Sequence, residues 1–246
     1  MSREYIPRAY QGLGVNHMLD NLRCALHAGT GTGKTSVTLT ALDILLLAGE
    51  AEKILILGPL RVARDVWTDE AVKWNHTKHL RFAKILGTEA QRKAALRQKA
   101  DIWITNFEQL PWLVKHLGAD WPFDTVIADE ATKLKGFRLR QGGARTKALG
   151  SVAHKFVRRF IELTGTPAPN GVKDLYGQLW FLDGGKRLGR TFTAFEERWF
   201  QRARDGFGLD PLPHAFDEVS SLISDLCLSI QAKDYFDLQE PIVNNI

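Results

Sequence analysis

Cysteine is nearly missing from this sequence, with only Cys24 and Cys227 in 246 residues. They lie far apart, without a CxxC pair or Cys/His ligand spacing. That excludes a disulfide-framed secreted scaffold and a zinc site, and it suits a reducing compartment. Long hydrophobic runs are lacking too: the greasiest stretches, Leu42 to Ala48 and Ile54 to Leu57, fall far short of the roughly 18 residues that span a bilayer. The N-terminus MSREYIPRAY is charged and polar, with no apolar core after it, so it does not read as a signal peptide. These absences lead us to expect a soluble, cytoplasmic protein with no membrane partner. What is present is ordinary for a globular chain. The 44% hydrophobic and 25% charged content excludes disorder and collagen-like architectures. A chain this long buries roughly 70–75% of its unfolded surface and needs no covalent or metal staple to fold.

Charge of either sign is unevenly spread. The 33 Lys and Arg against 28 Asp and Glu give a net charge of +5, but the stretch from Ala131 to Ile161 holds nine basic residues and no acid. These are Lys133, Lys135, Arg138, Arg140, Arg145, Lys147, Lys155, Arg158 and Arg159. Lys78 to Lys99 is basic as well, opposed only by Glu89, while Asp205 onward is acidic with Lys233 in opposition. Such segregation points to a surface facing a polyanion. The glycines Gly136, Gly142 and Gly143 suggest that the first of these stretches is a loop that follows a phosphate backbone.

Short apolar runs alternate with helix-like segments. Candidate strands are Leu22 to Ala28, Lys53 to Gly58, Leu80 to Leu86, Asp101 to Asn106, Thr125 to Asp129 and Phe160 to Thr164. Between them, Lys34 to Ala48, Val62 to Trp74, Glu89 to Ala100 and Phe107 to Leu117 have helical length and composition. Nearly continuous apolar strands in a βαβ alternation predict an α/β fold with a mostly parallel sheet covered on both faces. After Pro169 no strand signal recurs, and Lys173 to Leu182, Thr193 to Arg204 and Phe216 to Leu228 read as helices.

Two motifs carry chemistry. Gly29-Thr30-Gly31-Thr32-Gly33-Lys34-Thr35 follows a strand and opens a helix. Small residues let successive backbone N–H groups turn inward around a β-phosphate in front of the helix N-terminus. Lys34 would reach the β- and γ-phosphates, and the Thr35 hydroxyl would hold Mg²⁺. The strict GxxxxGK[ST] pattern wants glycine where Ala28 stands. The second motif, Asp129-Glu130, ends the apolar strand from Thr125. At the C-terminal edge of a parallel sheet such carboxylates face the ligand crevice, so Asp129 is expected in the Mg²⁺ shell and Glu130 beside the attacking water.

These motifs, with others around them, resemble the first RecA-like lobe of superfamily 2 helicases and most closely the Swi/Snf-like double-stranded-DNA translocases, some of which a phage genome would encode. The family's loop often begins with Ala. Pro7-Arg8-Ala9-Tyr10-Gln11 looks like its "RPYQ" segment, where the glutamine reads the adenine edge, so Gln11 takes that role by resemblance. Pro59-Leu60-Arg61-Val62 with Trp67, Glu70 and Trp74 is similar to "PLSVLxxWxxEfxkW", whose start touches the DNA backbone. Ile104-Thr105-Asn106-Phe107-Glu108 is similar to "ITTYE", also on the DNA side. Asp129-Glu130-Ala131-Thr132 stands where the family has DEAH, with Thr132 for its histidine. Leu163-Thr164-Gly165-Thr166-Pro167 with Asn170 resembles "LTGTPxxN", which links ATP state to DNA contact. Asp174-Leu175-Tyr176 to Asp183 resembles the "ELxxLLxFLxP" helix.

The resemblance implies an ATP-binding motor lobe of a DNA-dependent ATPase, with ATP and Mg²⁺ as cofactors. Lys34, Asp129 and Glu130 would carry catalysis, with Gln11 and Gly29 to Thr35 binding the nucleotide. Arg61, Thr105, Asn106, Lys133, Lys135, Arg138 and Arg140 would meet DNA, and Thr164, Gly165 and Thr166 would couple the two. Residues 1–170 are expected to form the RecA-like domain and 171–246 a helical extension, with the extended end Glu240 to Ile246 leading toward a second lobe. That lobe, which in the family supplies the transition-state arginines, is expected in cis or in trans. If phage-encoded, the chain works in the host-cell cytoplasm. Two other readings stand beside this one: a nucleotide- and DNA-binding regulatory or decoy module without turnover, and a P-loop kinase or small-molecule ATPase. Gln11 and the Thr164 to Thr166 motif count against the last. Trp67, Trp74, Trp112, Trp180 and Trp199 are read as core packing.

Overall fold

The apolar runs that read as strands assemble into one sheet in a computed structural model, which describes residues 2–139, 141–203 and 207–230. The elements in chain order are α1 (Ala9–Asp20), β1 (Arg23–Ala28), α2 (Lys34–Leu47) and β2 (Ile54–Gly58). A π-helical turn (Val62–Val66) then runs into α3 (Trp67–Ala71), followed by β3 (Phe82–Lys84), α4 (Glu89–Leu96), β4 (Ile102–Asn106), α5 (Leu110–Leu117) and β5 (Thr125–Asp129). The chain continues through α6 (Ala144–Ala153), β6 (Arg159–Thr164), α7 (Leu175–Asp183), α8 (Phe192–Trp199), the small hairpin β7 (Phe200–Arg202) and β8 (Leu209–Pro211), α9 (Ala215–Ile223) and β9 (Cys227–Ile230).

Seven strands form the main sheet in the order β3-β4-β2-β5-β6-β1-β9, and every pairing in it is parallel. The loops after β1, β2, β4, β5 and β6 therefore open on one edge. Side chains alternate between two cores, because successive Cβ atoms point to opposite faces of a strand. Leu55, Leu57, Val126, Ala128 and Phe160 pack with α4 to α9, whereas Ile54, Ile56, Ile127, Ile161 and Leu163 pack with α1, α2 and α3. This is the α/β architecture expected, with both faces covered.

Two arginines, Arg23 half-buried and Arg159 buried, hold helix ends to the sheet. Arg23 donates to Phe181 O (2.6 Å), Ala153 O (2.6 Å) and Val157 O (2.5 Å), satisfying carbonyls at the C-terminal ends of α6 and α7 that lack helical partners. Arg159, 2% exposed, donates to Met18 O and Asn21 O.

Glu162 is buried at the centre of the sheet, set in register between Ala25 and Ala128. Burial pushes its carboxyl well above the ordinary 4.5. A carboxyl whose folded pKa exceeds its unfolded value contributes stability that is full below the unfolded value and is lost as pH rises through the folded one. Glu162→Gln is thus expected to match the wild-type Tm at about pH 5 and to exceed it by a margin that grows toward about pH 9. Thermal unfolding at the two pH values checks this, and parallel Tm values would contradict a raised Glu162 carboxyl.

The structure departs from the sequence reading in five places. Strands do recur after Pro169: β9 pairs with β1 and extends the main sheet, so the expected helix from Phe216 to Leu228 stops at Ile223. The four residues Cys227 to Ile230 are too few to show a period, and the free edge of β1 decides their conformation. The expected loop of the basic stretch holds a full helix, α6, as well as the start of β6, so Arg159 serves the core. Arg158 pairs with Glu50 at 3.3 Å. Helix α1 carries no strong amphipathic pattern to announce it; at its start the Gln11 side chain accepts from the Arg8 N–H at 2.9 Å. The helix expected over Val62 to Trp74 begins as a π turn and ends at Ala71. The helix expected over Thr193 to Arg204 ends at Trp199, where strand β7 begins; Arg204 itself and the stretch Glu240 to Ile246 lie outside the described residues.

Candidate nucleotide and nucleic-acid site

Gly31 (φ 81°) and Gly33 (φ 82°) take the left-handed conformation, which lets the backbone after β1 curl back before α2 begins at Lys34. A Cβ on Gly29 or Gly31 would meet nothing within 4 Å, so the loop faces open space there, whereas one on Gly33 would lie 2.5 Å from Gln11 Nε2. The loop is braced from within by Thr32 Oγ1 donating to Gly29 O at 2.8 Å. The Lys34 ammonium donates to Ala28 O (2.5 Å) and Gly29 O (2.9 Å). Burial lowers its pKa, and the carboxylates of Asp129 and Glu130 raise it. Gln11 ties this loop to α1: its Oε1 accepts from the Arg8 N–H at 2.9 Å and its Nε2 donates to Thr32 O at 3.2 Å.

Asp129 and Glu130 end β5 on the same edge. Burial and the adjacent Glu130 push the Asp129 carboxyl up to about 6, opposed by a hydrogen bond from Trp67 and by the charge of Lys34. Glu130 is the only non-glycine with positive φ among the described residues, at φ 63°. Such a conformation costs about 1–3 kcal/mol for a residue with a side chain. It turns the chain sharply from β5 into the 3₁₀ turn Ala131–Leu134. A backbone strain at a carboxylate pair is characteristic of a functional site. The hydroxyl of Thr35 and the two carboxylates are hard oxygen donors, of the kind that suits Mg²⁺ held by one or two protein ligands plus phosphate. No cluster of three or more His, Cys, Asp or Glu with metal-binding geometry occurs among the described residues, so the donor set fits a cation shared with a nucleotide better than an all-protein cage.

The residues expected to couple the two sites, Thr164 to Thr166, lie between the loop and the basic stretch. Thr164 pairs in register with His27 of β1, and its hydroxyl accepts from Thr166 N–H at 3.2 Å. Gly165 passes so close to the phosphate loop that an added Cβ would sit 3.5 Å from Ala28 O. Farther along, the Asp174 carboxylate accepts from the backbone and side-chain nitrogens of Asn170 at 3.0 and 3.1 Å and pairs with Lys135 at 3.3 Å. The loop 165–171 is therefore tethered at one end to the phosphate loop and at the other to the segment following Glu130.

The residues expected to meet DNA divide. Arg61 and Lys133 are exposed. Lys133 lines a cavity of about 240 Å³ with Phe107, Gly136, Gly143, Arg145 and Thr146. Asn106, 5% exposed, donates to Glu108 at 2.7 Å, and Glu108 pairs with Arg145 at 2.6 Å. Thr105 requires a correction: it is fully buried and its hydroxyl donates to Ile85 O at 2.8 Å, so its side chain braces the sheet and cannot reach a phosphate. Lys135 is held by Asp174. Arg138 donates to Lys135 O and Phe137 O and stacks 3.3 Å over the Phe192 ring, which leaves it half-buried. Arg140 lies outside the described residues.

Two residues missed as site candidates come into view. Arg145 enters the basic cavity because α6 begins at Ala144, a helix the glycine-rich sequence around it concealed. Trp67 was read as core packing, and it is buried, yet its indole Nε1 donates to Asp129 Oδ2 at 3.1 Å. Only its place in the Pro59 to Trp74 segment hinted at a role. Trp180 and Trp199 are core residues as expected, and Trp112 packs beneath the Arg92 guanidinium at 4.2 Å.

A strand, a glycine-rich loop, a lysine opening the following helix and an acidic strand end on a parallel sheet define a RecA-like P-loop fold. Residues 10–225 match the family model described as SNF2-related domain, and the chain belongs to that family. It is 49% identical over 250 residues to protein p41 of Acyrthosiphon pisum secondary endosymbiont phage 1, covering 99% of this chain and 54% of that protein. It is 28% identical over 185 residues to the zebrafish (Danio rerio) DNA excision repair protein ERCC-6-like, across 71% of this chain and 12% of the relative. The Sulfolobus solfataricus SWI2/SNF2 ATPase core in complex with dsDNA has a similar structure, with a TM-score of 0.71 at 25% identity, covering 93% of this chain and 45% of that one. The chain thus spans about half the length of p41 and of the Sulfolobus core. Among the described residues no helix is long and apolar enough to cross a membrane.

Proposed function

We propose that this chain is the ATP-binding motor lobe of a DNA-dependent ATPase, hydrolysing ATP once a second RecA-like lobe completes the site. The observation that carries the reading is the path from phosphate loop to basic surface: Gly165 against Ala28, Asp174 on Lys135, and Lys133 beside Arg145. Nucleotide and DNA would then bear on opposite ends of one tethered loop. The duplex bound to the Sulfolobus core supports double-stranded DNA as the partner.

In this reading Gly29 to Gly33 and the N-terminus of α2 bind the phosphates, Lys34 turns its ammonium from the loop carbonyls to the phosphate oxygens, and Gln11 selects the base. Thr35 and Asp129 would hold Mg²⁺, which neutralises charge on the β- and γ-phosphates when bound. Glu130, held outward by its left-handed backbone, orients the attacking water. The second lobe would supply the arginine that contributes on the order of 10³–10⁵ in rate. Residues 1–170 would form most of the nucleotide-binding body, with the rest of the chain an extension of the same lobe that adds β9 to its sheet.

Duplex binding by fluorescence anisotropy over a salt series tests the DNA half. The logarithm of affinity should fall with that of salt at a slope of about −0.9 per phosphate neutralised. Lys133→Ala should weaken binding and make that slope shallower by about 1. Thr105→Val should leave duplex affinity unchanged, since its hydroxyl faces Ile85. A flat salt response in the wild type would remove the DNA assignment.

A further inference from the structure

We infer that Trp67 is a positioning residue for Asp129, through which the segment 59–66 on the DNA side sets the metal-binding carboxylate. The inference rests on the function proposed above, in which Asp129 holds Mg²⁺. An indole N–H can donate and cannot accept, so the 3.1 Å contact from Trp67 Nε1 to Asp129 Oδ2 restrains one carboxylate oxygen. The side chain making it is fully buried in the core between the sheet and α2 and α3, so it cannot swing away without moving its backbone.

That backbone begins at the proposed DNA surface. β2 and β5 are paired neighbours, and a Cβ on Gly58 would lie 3.5 Å from Val62 Cγ1 and 3.8 Å from Asp129 Cβ. Arg61, at the start of the π-helical turn that ends where Trp67 begins, and Arg64 within it are exposed. A π turn carries an extra residue relative to an α turn, and such insertions recur at functional sites. Force on Arg61 or Arg64 therefore reaches the indole through a single turn of helix, and the indole bears directly on Asp129.

The test compares nucleotide affinity in Mg²⁺ and in EDTA, using a fluorescent ADP analogue and the full chain. In Trp67→Phe, which keeps an aromatic ring and removes the donor, the Mg²⁺-dependent gain in affinity should fall about tenfold. Affinity in EDTA should stay within about twofold, and in an Asp129→Asn background the same substitution should change nothing further. An undiminished gain, or an equal loss with and without Mg²⁺, would overturn the positioning role. A wild type that gains no affinity from Mg²⁺ would instead overturn the nucleotide reading beneath it. Should Trp67→Phe fail to fold, the seven tryptophans supply indole N–H signals for NMR. The signal displaced by Asp129→Asn should be the one that moves in the wild type with Mg²⁺–ADP and stays still with ADP in EDTA; no shared signal would overturn the proposal.

Discussion

Replacing Lys34 with alanine is expected to weaken ATP binding by about 100-fold or more while leaving the fold intact. The ammonium is held among the carbonyls of Ala28 and Gly29, at the mouth of the loop that would wrap the phosphates. Hydrogen bonds to charged groups are worth about 1.5–3 kcal/mol each, and the side chain reaches two phosphates in the proposed complex. Loss of the cation also removes the charge that opposes the raised pKa of Asp129, so the variant should hold Mg²⁺–nucleotide poorly for two reasons. Calorimetric titration of ATP with Mg²⁺ measures this, and affinity within a few-fold of wild type would contradict the assignment. Circular dichroism should show the same helix content.

Gly177→Ala should destabilise the fold substantially. The helix α7 crosses the turn that follows Glu130 so closely that a Cβ at position 177 would lie 2.5 Å from Leu134 O and 2.6 Å from Lys135 O. Both obstacles are backbone carbonyls, so no rotamer change relieves them, and the helix or the turn must shift. Overpacking of this kind costs about 1–3 kcal/mol, and at about 2–4 °C per kcal/mol for a chain of this size the Tm should drop by about 2–12 °C. A shift of the turn moves Lys133 as well, so duplex affinity should fall although position 177 is buried. Gly12→Ala is the control: an added Cβ there meets nothing within 4 Å, and helix α1 should gain about 0.5–1 kcal/mol. Equal Tm values for the two variants would contradict the close approach.

Much of the nucleotide side was legible because its chemistry is local. A glycine-rich loop, a lysine and a threonine act within seven consecutive residues, and Asp129 and Glu130 announce themselves as acids at the end of an apolar strand. The main sheet was legible for the same reason, its strands being short unbroken apolar runs. What the sequence concealed depends on contacts between distant segments. β9 is a strand because β1 offers an edge, although Cys227 to Ile230 has no pattern of its own. Thr105 sits in a motif that points toward DNA, but the alternation of β4 turns its hydroxyl to Ile85. The nine basic residues without an acid between them looked like a single surface. Folding sends Arg159 into the core, Arg158 to Glu50 and Lys135 to Asp174, and leaves Lys133 with Arg145 in the basic cavity. Trp67 is the sharpest case, since a buried tryptophan beside an aspartate 62 positions away leaves no trace in periodicity.

The raised Asp129 carboxyl costs stability in the free protein, a cost that a cation in the crevice would offset. Asp129→Asn should accordingly raise the Tm at neutral pH while removing the Mg²⁺-dependent part of nucleotide affinity, the trade between stability and activity common at functional sites.

The most direct test of the central claim is ATP turnover by the 246-residue chain with and without duplex DNA. Hydrolysis, however slow in the absence of a second lobe's arginine, should rise on addition of duplex and vanish in Lys34→Ala. Turnover indifferent to DNA, or turnover undiminished in Lys34→Ala, would contradict a DNA-dependent ATPase whose site is built on the phosphate loop.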